Sequence, residues 1–278
     1  DEGTIRLWDI RKDRELRCFK GHTKSVLSIK VSPDGHYLLS GSGDGTVRLW
    51  DVDSGEELRR FQVNQPVFCV AFSPDGRKVA CGGQNRVVIV WESETGRELN
   101  RCIGHKGVID SIAFTPDGQR LLSGSWDKTL YLWNVESGQP IHQFTGHTDS
   151  VNCLGISPDG KRAVSGGNDK TIRVWNLNRG QEVRMVAQKT YIECVAFSPD
   201  GRFIIAGGFD KTIQLLNPEN GNEIRFFQGH TGRVTSVVFS SDGQFFASTG
   251  GDPDRSIRIW KVETGEQIHS IQRTFYLD

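Results

Sequence analysis

A histidine, a serine and an aspartate together are the raw material of nucleophilic catalysis, and this chain carries that trio four times. The sets are His22, Ser40 and Asp44; His105, Ser123 and Asp127; His147, Ser165 and Asp169; and His230, Ser248 and Asp254. A tryptophan follows each, at Trp50, Trp133, Trp175 and Trp260. A hydrolase needs one such set, with an oxyanion site and an open approach to it. Four copies at matching offsets argue against catalysis, and no catalytic residue is assigned. Glycine clusters such as Gly41, Gly43 and Gly45 suggest a phosphate loop at first sight, but they precede a strand pattern rather than a helix and recur throughout, so turn geometry explains them better. The six cysteines include no CxxC pair and no cysteine–histidine cluster at zinc spacing, so neither a metal nor a cofactor is expected.

The elements that must position these residues come from an internal repeat. Residues 21–62 reproduce themselves along the chain. Measured at Trp8, Trp50, Trp91, Trp133, Trp175, Leu216 and Trp260, the spacings are 42, 41, 42, 42, 41 and 44. Within 21–62, Leu27, Ile29 and Val31 alternate before Ser-Pro-Asp-Gly at 32–35, a compact run spans Tyr37 to Ser42, Val47 and Leu49 alternate with Arg48 and Trp50, and Leu58 to Phe61 closes the unit. The pattern predicts four short strands joined by tight turns, hence one antiparallel sheet per repeat. One sheet of this size cannot bury both faces, so copies are expected to stack until the stack ends or closes on itself.

Gly-His at 21–22, Ser-Pro-Asp-Gly at 32–35, SGSGDG at 40–45 and Leu-Trp-Asp at 49–51 resemble the WD-repeat β-propellers over the whole chain. The resemblance implies an all-β fold, a seven-bladed propeller of four-stranded antiparallel blades. The complete repeats are 21–62, 63–103, 104–145, 146–187, 188–228 and 229–271. Residues 1–20 match only the outer two strands of a further blade, and 272–278 look like its start, so six blades are expected whole and one partial, in a single domain. The resemblance also implies that each aspartate, histidine, serine and tryptophan set is a buried hydrogen-bond chain. The inventory agrees: indole only donates, serine and neutral imidazole do both, and carboxylate only accepts. Two repeats depart from the pattern, with Cys81 and Asn85 in one and Ala206 and Leu216 in the other. These are expected to rely on apolar packing.

The 34 basic and 34 acidic residues cancel, with no basic stripe to suggest nucleic acid. No apolar run approaches the length needed to cross a bilayer, and no signal-like segment is seen. Cys69, Cys153 and Cys194 occupy the small-residue position held by Ser28, Ser111 and Ser236, and reduced thiols suit a cytoplasmic setting. The only methionine is Met185, so a monomeric domain within a larger chain is expected.

If the repeated residues hold the blades together, binding belongs where the copies disagree. The residue before the turn aspartate is Gly43, Gln84, Trp126, Asn168 or Phe209, with Asp1 at the equivalent place in the partial repeat. In the resembled family this turn surrounds one mouth of the central channel, beside the turn after Gly-His, where this chain has Lys24, Lys106, Asp149, Tyr191 and Arg233. Trp126 and Phe209 are expected to border that mouth with Asn168 between them. Large aromatics there suit a protein or peptide partner. The expected role is a non-catalytic interaction scaffold. Its rivals are a sensory or regulatory domain of a larger signalling protein, such as a kinase or ATPase, and, more remotely, a propeller enzyme.

Overall fold

The computed structural model describes residues 3–9, 12 and 14–272, so Asp1 and residues 273–278 lie outside the described residues. Every regular element among them is a strand, and no helix is long and apolar enough to cross a membrane. Contacts divide the chain into two compact units, Asp1–Gln143 and Phe144–Asp278.

The first unit opens with a two-stranded sheet of β1 (Thr4–Asp9) and β2 (Arg14–Lys20), the two strands expected of the partial repeat. The next sheet holds β3 (Val26–Val31), β4 (Tyr37–Ser42), β5 (Thr46–Asp51) and β6 (Glu57–Gln62). It is followed by β7 (Val67–Phe72), β8 (Lys78–Gly83), β9 (Val87–Glu92) and β10 (Glu98–Ile103). The fourth sheet contains β11 (Ile109–Phe114), β12 (Arg120–Ser125), β13 (Leu130–Asn134) and β14 (Pro140–Phe144), whose last residue falls in the second unit.

The second unit repeats the pattern three times. Its sheets are β15 (Val151–Ile156), β16 (Arg162–Gly167), β17 (Thr171–Asn176) and β18 (Gln181–Ala187); then β19 (Ile192–Phe197), β20 (Ile204–Gly208), β21 (Ile213–Leu216) and β22 (Glu223–Phe227); then β23 (Val234–Phe239), β24 (Phe245–Gly250), β25 (Ser256–Lys261) and β26 (Gln267–Gln272). Neighbouring strands within every sheet are consecutive in sequence, so each complete repeat is a meander of three hairpins.

The first hairpin is set by its Ser-Pro-Asp-Gly turn. Ser32 Oγ donates to Asp34 Oδ1 at 2.5 Å, the same carboxylate accepts the His36 N–H at 3.1 Å, and Gly35 takes a φ of 81°. The left-handed φ is why glycine stands there. Equivalent hydroxyl-to-carboxylate bonds close the turns at Ser73–Asp75, Thr115–Asp117, Ser157–Asp159, Ser198–Asp200 and Ser240–Asp242.

Sheets within a unit stack through apolar clusters drawn from adjacent sheets. Leu39, Val47, Phe61, Val70, Ile89 and Trp91 pack together in the first unit, and Val174, Ile192, Val195, Phe197 and Leu216 in the second. Close stacking explains the glycine of the second strand. A Cβ on Gly82 would lie 2.5 Å from Cγ2 of Ile109 on the next sheet. Near the outer edge, fourth-strand side chains clasp the following sheet. Arg17 donates to the Ser54 carbonyl at 2.7 Å, Asn100 to Val135 and Glu136, and Arg225 to Thr264 and Glu263.

The repeats lacking the histidine set are fully packed: Cys81, Ala206 and Leu216 are buried in apolar clusters. None of the six cysteines forms a disulfide. Burial pushes the Cys81 thiol up to about 12, with the same direction at Cys69 and Cys194, so these sulfurs act as small apolar side chains.

One face lacks the cover its counterparts have. Ile29 of β3 is 50% exposed, whereas Val70, at the same register position of β7, is 1% exposed. Trp8 of β1 is also well exposed, while Trp50, Trp91 and Trp133 are buried. Among the described residues β1 pairs with β2 alone.

Candidate functional site

The histidine sets are relays held inside single sheets. Trp50 Nε1 donates to Ser40 Oγ at 2.8 Å, Ser40 Oγ meets His22 Nε2 at 2.7 Å, and His22 Nδ1 meets Asp44 Oδ2 at 2.8 Å. The same chain links Trp133, Ser123, His105 and Asp127; Trp175, Ser165, His147 and Asp169; and Trp260, Ser248, His230 and Asp254. A carboxylate can only accept, so Nδ1 carries the imidazole proton, Nε2 accepts from serine, and serine accepts from indole. One neutral histidine tautomer satisfies every group. Burial holds His22, His147 and His230 below their ordinary value, against the raising effect of the partner aspartates. Burial opposes ionisation of Asp44, but hydrogen bonds from Thr46, His22 and the Thr23 N–H outweigh it and hold its pKa at about 2.

Sequence reasoning missed two further members of each relay. A hydroxyl two residues beyond the aspartate donates to it, at Thr46, Thr129, Thr171 and Ser256. An arginine at Arg48, Arg173 or Arg258 then approaches the carboxylate, and in the remaining set Tyr131 stacks on Trp133 and meets His105 edge-on, both at 4.8 Å. The serine hydroxyls are completely buried beneath these partners. They offer no approach for a substrate, and the relays are structural in geometry as well as in number.

The variable turns have a fixed frame. In every complete sheet the backbone N–H of the variable residue donates to a carbonyl just before the first strand: Gly43 to Ser25, Gln84 to Pro66, Trp126 to Val108, Asn168 to Ser150, Phe209 to Tyr191 and Gly251 to Arg233, at 2.8–3.2 Å. The two variable turns of each sheet are thus joined whatever their side chains. Beside them, the register of the first strand slips by one residue in all six sheets, between Val26 and Ser28, Val67 and Cys69, Ile109 and Ser111, Val151 and Cys153, Ile192 and Cys194, and Val234 and Ser236. Such a bulge re-aims the extra residue. The bulged residues are Leu27, Phe68, Asp110, Asn152, Glu193 and Thr235; the sequence marked only Leu27 among them, and as a regular member of an alternating strand. Their signal was available: six different residues occupy one offset of an otherwise repetitive strand.

In the first unit the bulge and turn residues make a cluster around Trp126. Its indole N–H donates to Asp110 Oδ2 at 3.2 Å, and Phe68 meets the ring edge-on at 6.0 Å. The indole keeps 46% of its surface exposed. Gln84, Lys24 and Lys106 are exposed in the same unit, Lys24 lying beside Gly43. In the second unit Asn152 donates to Asn168 at 2.8 Å, Asp149 is exposed, and Tyr191, Phe209 and Arg233 are exposed and in contact. Trp126 belongs to one unit and Asn168 and Phe209 to the other. Among the described residues no group of three or more histidine, cysteine, aspartate or glutamate side chains is placed to hold a metal ion.

Four-stranded meanders, each built on the same repeat and four of them locked by a tryptophan–serine–histidine–aspartate relay, define a β-propeller of WD repeats, with six complete blades and one partial blade among the described residues. The description "IFT122 first beta-propeller" matches residues 66–228, more than half of the chain, and the chain belongs to that family. The description "WD domain, G-beta repeat" matches residues 13–51 and 221–261. Among curated proteins, the chain is similar to the ribosome biogenesis protein BOP1 homolog of Arabidopsis thaliana, 51% identical over 39 residues, which is 14% of this chain and 5% of that protein. It is also similar to a guanine nucleotide-binding protein subunit beta of Zea mays, 50% identical over 42 residues, or 15% of this chain and 11% of the relative. The ribosome biogenesis protein ERB1 of Candida albicans is 41% identical over 46 residues, 16% of this chain and 5% of that protein. The matches thus span a small part of each relative.

Proposed function

We propose that the protein is a non-catalytic interaction scaffold that docks a protein or peptide on the face carrying the joined variable turns. The observation that carries this reading is Trp126. It stands where other repeats place glycine, glutamine, asparagine or phenylalanine, its orientation is set by Asp110 and Phe68, and nearly half of its surface is open. A large ring already held in place supplies contact area at little entropic cost, the usual property of an anchor residue. The kinship with WD-repeat proteins supports a scaffold role, and the relay serines, buried and bonded to tryptophan and histidine, favour it over a catalytic use of those sets.

The test is a pull-down with the intact chain against Trp126→Ala, followed by titration of the captured partner. Loss of about 2 kcal/mol of binding, about thirtyfold in affinity, is expected, with a melting temperature close to the parent. A variant that binds normally but melts early would assign Trp126 to packing against Phe68 and overturn the reading.

A further inference from the structure

We infer that the second unit carries a subsite for an acidic peptide, in which Lys170 and Arg233 take two carboxylates while Tyr191 and Phe209 hold an apolar residue between them. This deepens, and rests on, the scaffold reading of the variable face.

Four exposed side chains from three successive sheets form one continuous ladder. The Lys170 ammonium lies 5.5 Å from the centre of the Tyr191 ring, the Tyr191 and Phe209 rings meet edge to face at 5.5 Å, and the Arg233 guanidinium lies 5.3 Å from the centre of the Phe209 ring. The fold does not require the two aromatics: where Phe209 stands the other sheets have Gly43, Gln84, Trp126, Asn168 or Gly251, and where Tyr191 stands they have Ser25, Pro66, Val108, Ser150 or Arg233, with the same backbone hydrogen bond. Lys170 sits at a φ of 62°, in the left-handed turn position that Gly45 fills in the first complete sheet and Arg86, Lys128, Lys211 and Arg255 fill in the others, so a basic side chain there is common to the repeat and what distinguishes Lys170 is the aromatic face of Tyr191 beside it.

The sign of the ligand follows from what already covers the rings. Each aromatic has a cation of this chain at its face, so a ligand cation would meet like charge, whereas a carboxylate gains from two ammonium-type groups and from the positive ring edges. The acidic groups nearby do not fill this role. Asp169 is engaged in its relay, Asp210 accepts from Thr212, and Glu193, on the bulge beside Arg233, is half-buried. Burial pushes the Glu193 carboxyl up, opposed by the Arg233 guanidinium. Length fits as well. Three contacts in series, none longer than 5.5 Å, match an extended segment of about four residues at about 3.3 Å each. Two acidic residues with one apolar side chain midway reach both cations and the rings.

The probe is a fluorescein-labelled peptide in which aspartates recur every fourth residue with a leucine midway, compared with the same peptide carrying asparagine or lysine in place of aspartate. Fluorescence anisotropy on the intact chain should show saturable binding of the aspartate peptide, at least about tenfold weaker with asparagine and absent with lysine. The double variant Lys170→Glu and Arg233→Glu should lose about tenfold or more, Lys170→Arg with Arg233→Lys should restore most of it, and added salt should weaken it. Circular dichroism melts identify any variant that has lost its fold, and the asparagine comparison on the unmodified chain stands without them. Equal binding of the aspartate and asparagine peptides, or no binding of either, overturns the proposal. If capture of a partner still depends on Trp126 under that outcome, the scaffold reading survives without the acidic subsite. If the aspartate peptide binds as expected and capture ignores Trp126, the subsite stands and the anchor role of Trp126 falls.

Discussion

A single serine hydroxyl joins the indole to the imidazole of its relay, so its removal is the most informative change at the scale of one residue. Ser165 Oγ accepts from the buried Trp175 indole at 2.8 Å and meets His147 at 2.7 Å. Ser165→Ala leaves a donor and an acceptor unpaired in a site without water access, which is expected to cost about 2 kcal/mol. Urea denaturation measures it. A loss below a few tenths of a kcal/mol would mean that the relay contributes little to folding. At this scale the sequence was legible where residues repeat, since the four sets could be read directly from their offsets. The arginine and hydroxyl partners were harder to see because Arg48 and Thr46 look like ordinary exposed strand residues until Glu57 and Asp44 are placed beside them. The half-exposed, anchored state of Trp126 was hidden for a similar reason: Phe68 is 58 positions away in the chain and becomes its neighbour only through stacking.

At the scale of the strand, two glycines test two different physical causes. Gly82 needs to lack a side chain because its Cβ would press into Ile109, so Gly82→Val should destabilise by about 2 kcal/mol through overpacking. Gly35 has open space around it and a φ of 81°, so Gly35→Ala should cost about 1 kcal/mol through backbone strain alone. Shifts in urea midpoint check both, and the idea fails if Gly35→Asn, which tolerates the left-handed region, is no better than alanine. Turn chemistry made the strands legible: Tyr37–Ser42 and the four-strand order were readable from Ser-Pro-Asp-Gly and the alternation around it. The bulge at Leu27 was not. An extra residue changes which face its side chain takes without changing the residue types on either side, and Val26, Leu27 and Ser28 give no local sign of it.

Over the whole molecule, the four relays should give stability a one-sided dependence on pH. His22, His147 and His230 are held below their ordinary value of 6.5, so the unfolded chain binds protons that the folded chain resists. Their contribution is present above about pH 6.5 and declines as the pH falls below it. The relay aspartates are held below their ordinary 3.8, Asp44 at about 2, because hydrogen bonds outweigh burial, so a second loss follows as the pH falls through that range. The urea midpoint should therefore be flat from about pH 8 to about 7 and fall in two stages below. His147→Gln should flatten the first stage, and an unchanged midpoint down to about pH 5 would contradict the neutral-histidine relay. The division of the chain at Gln143 could not be read in advance, because every repeat offers its neighbours much the same strand pattern.

The exposed Ile29 makes protein concentration part of the structure's behaviour. An apolar side chain half in water, where its counterpart Val70 is buried, is a surface that another copy can cover. With 34 positive and 34 negative residues cancelling near neutral pH, little net repulsion keeps two such faces apart. In dilute solution the face meets water; as copies crowd together, it meets other copies. Sedimentation velocity should show a weight-average coefficient that rises with loading concentration, and Ile29→Lys, which places a charge on the bare face at a site already half in water, should hold it constant.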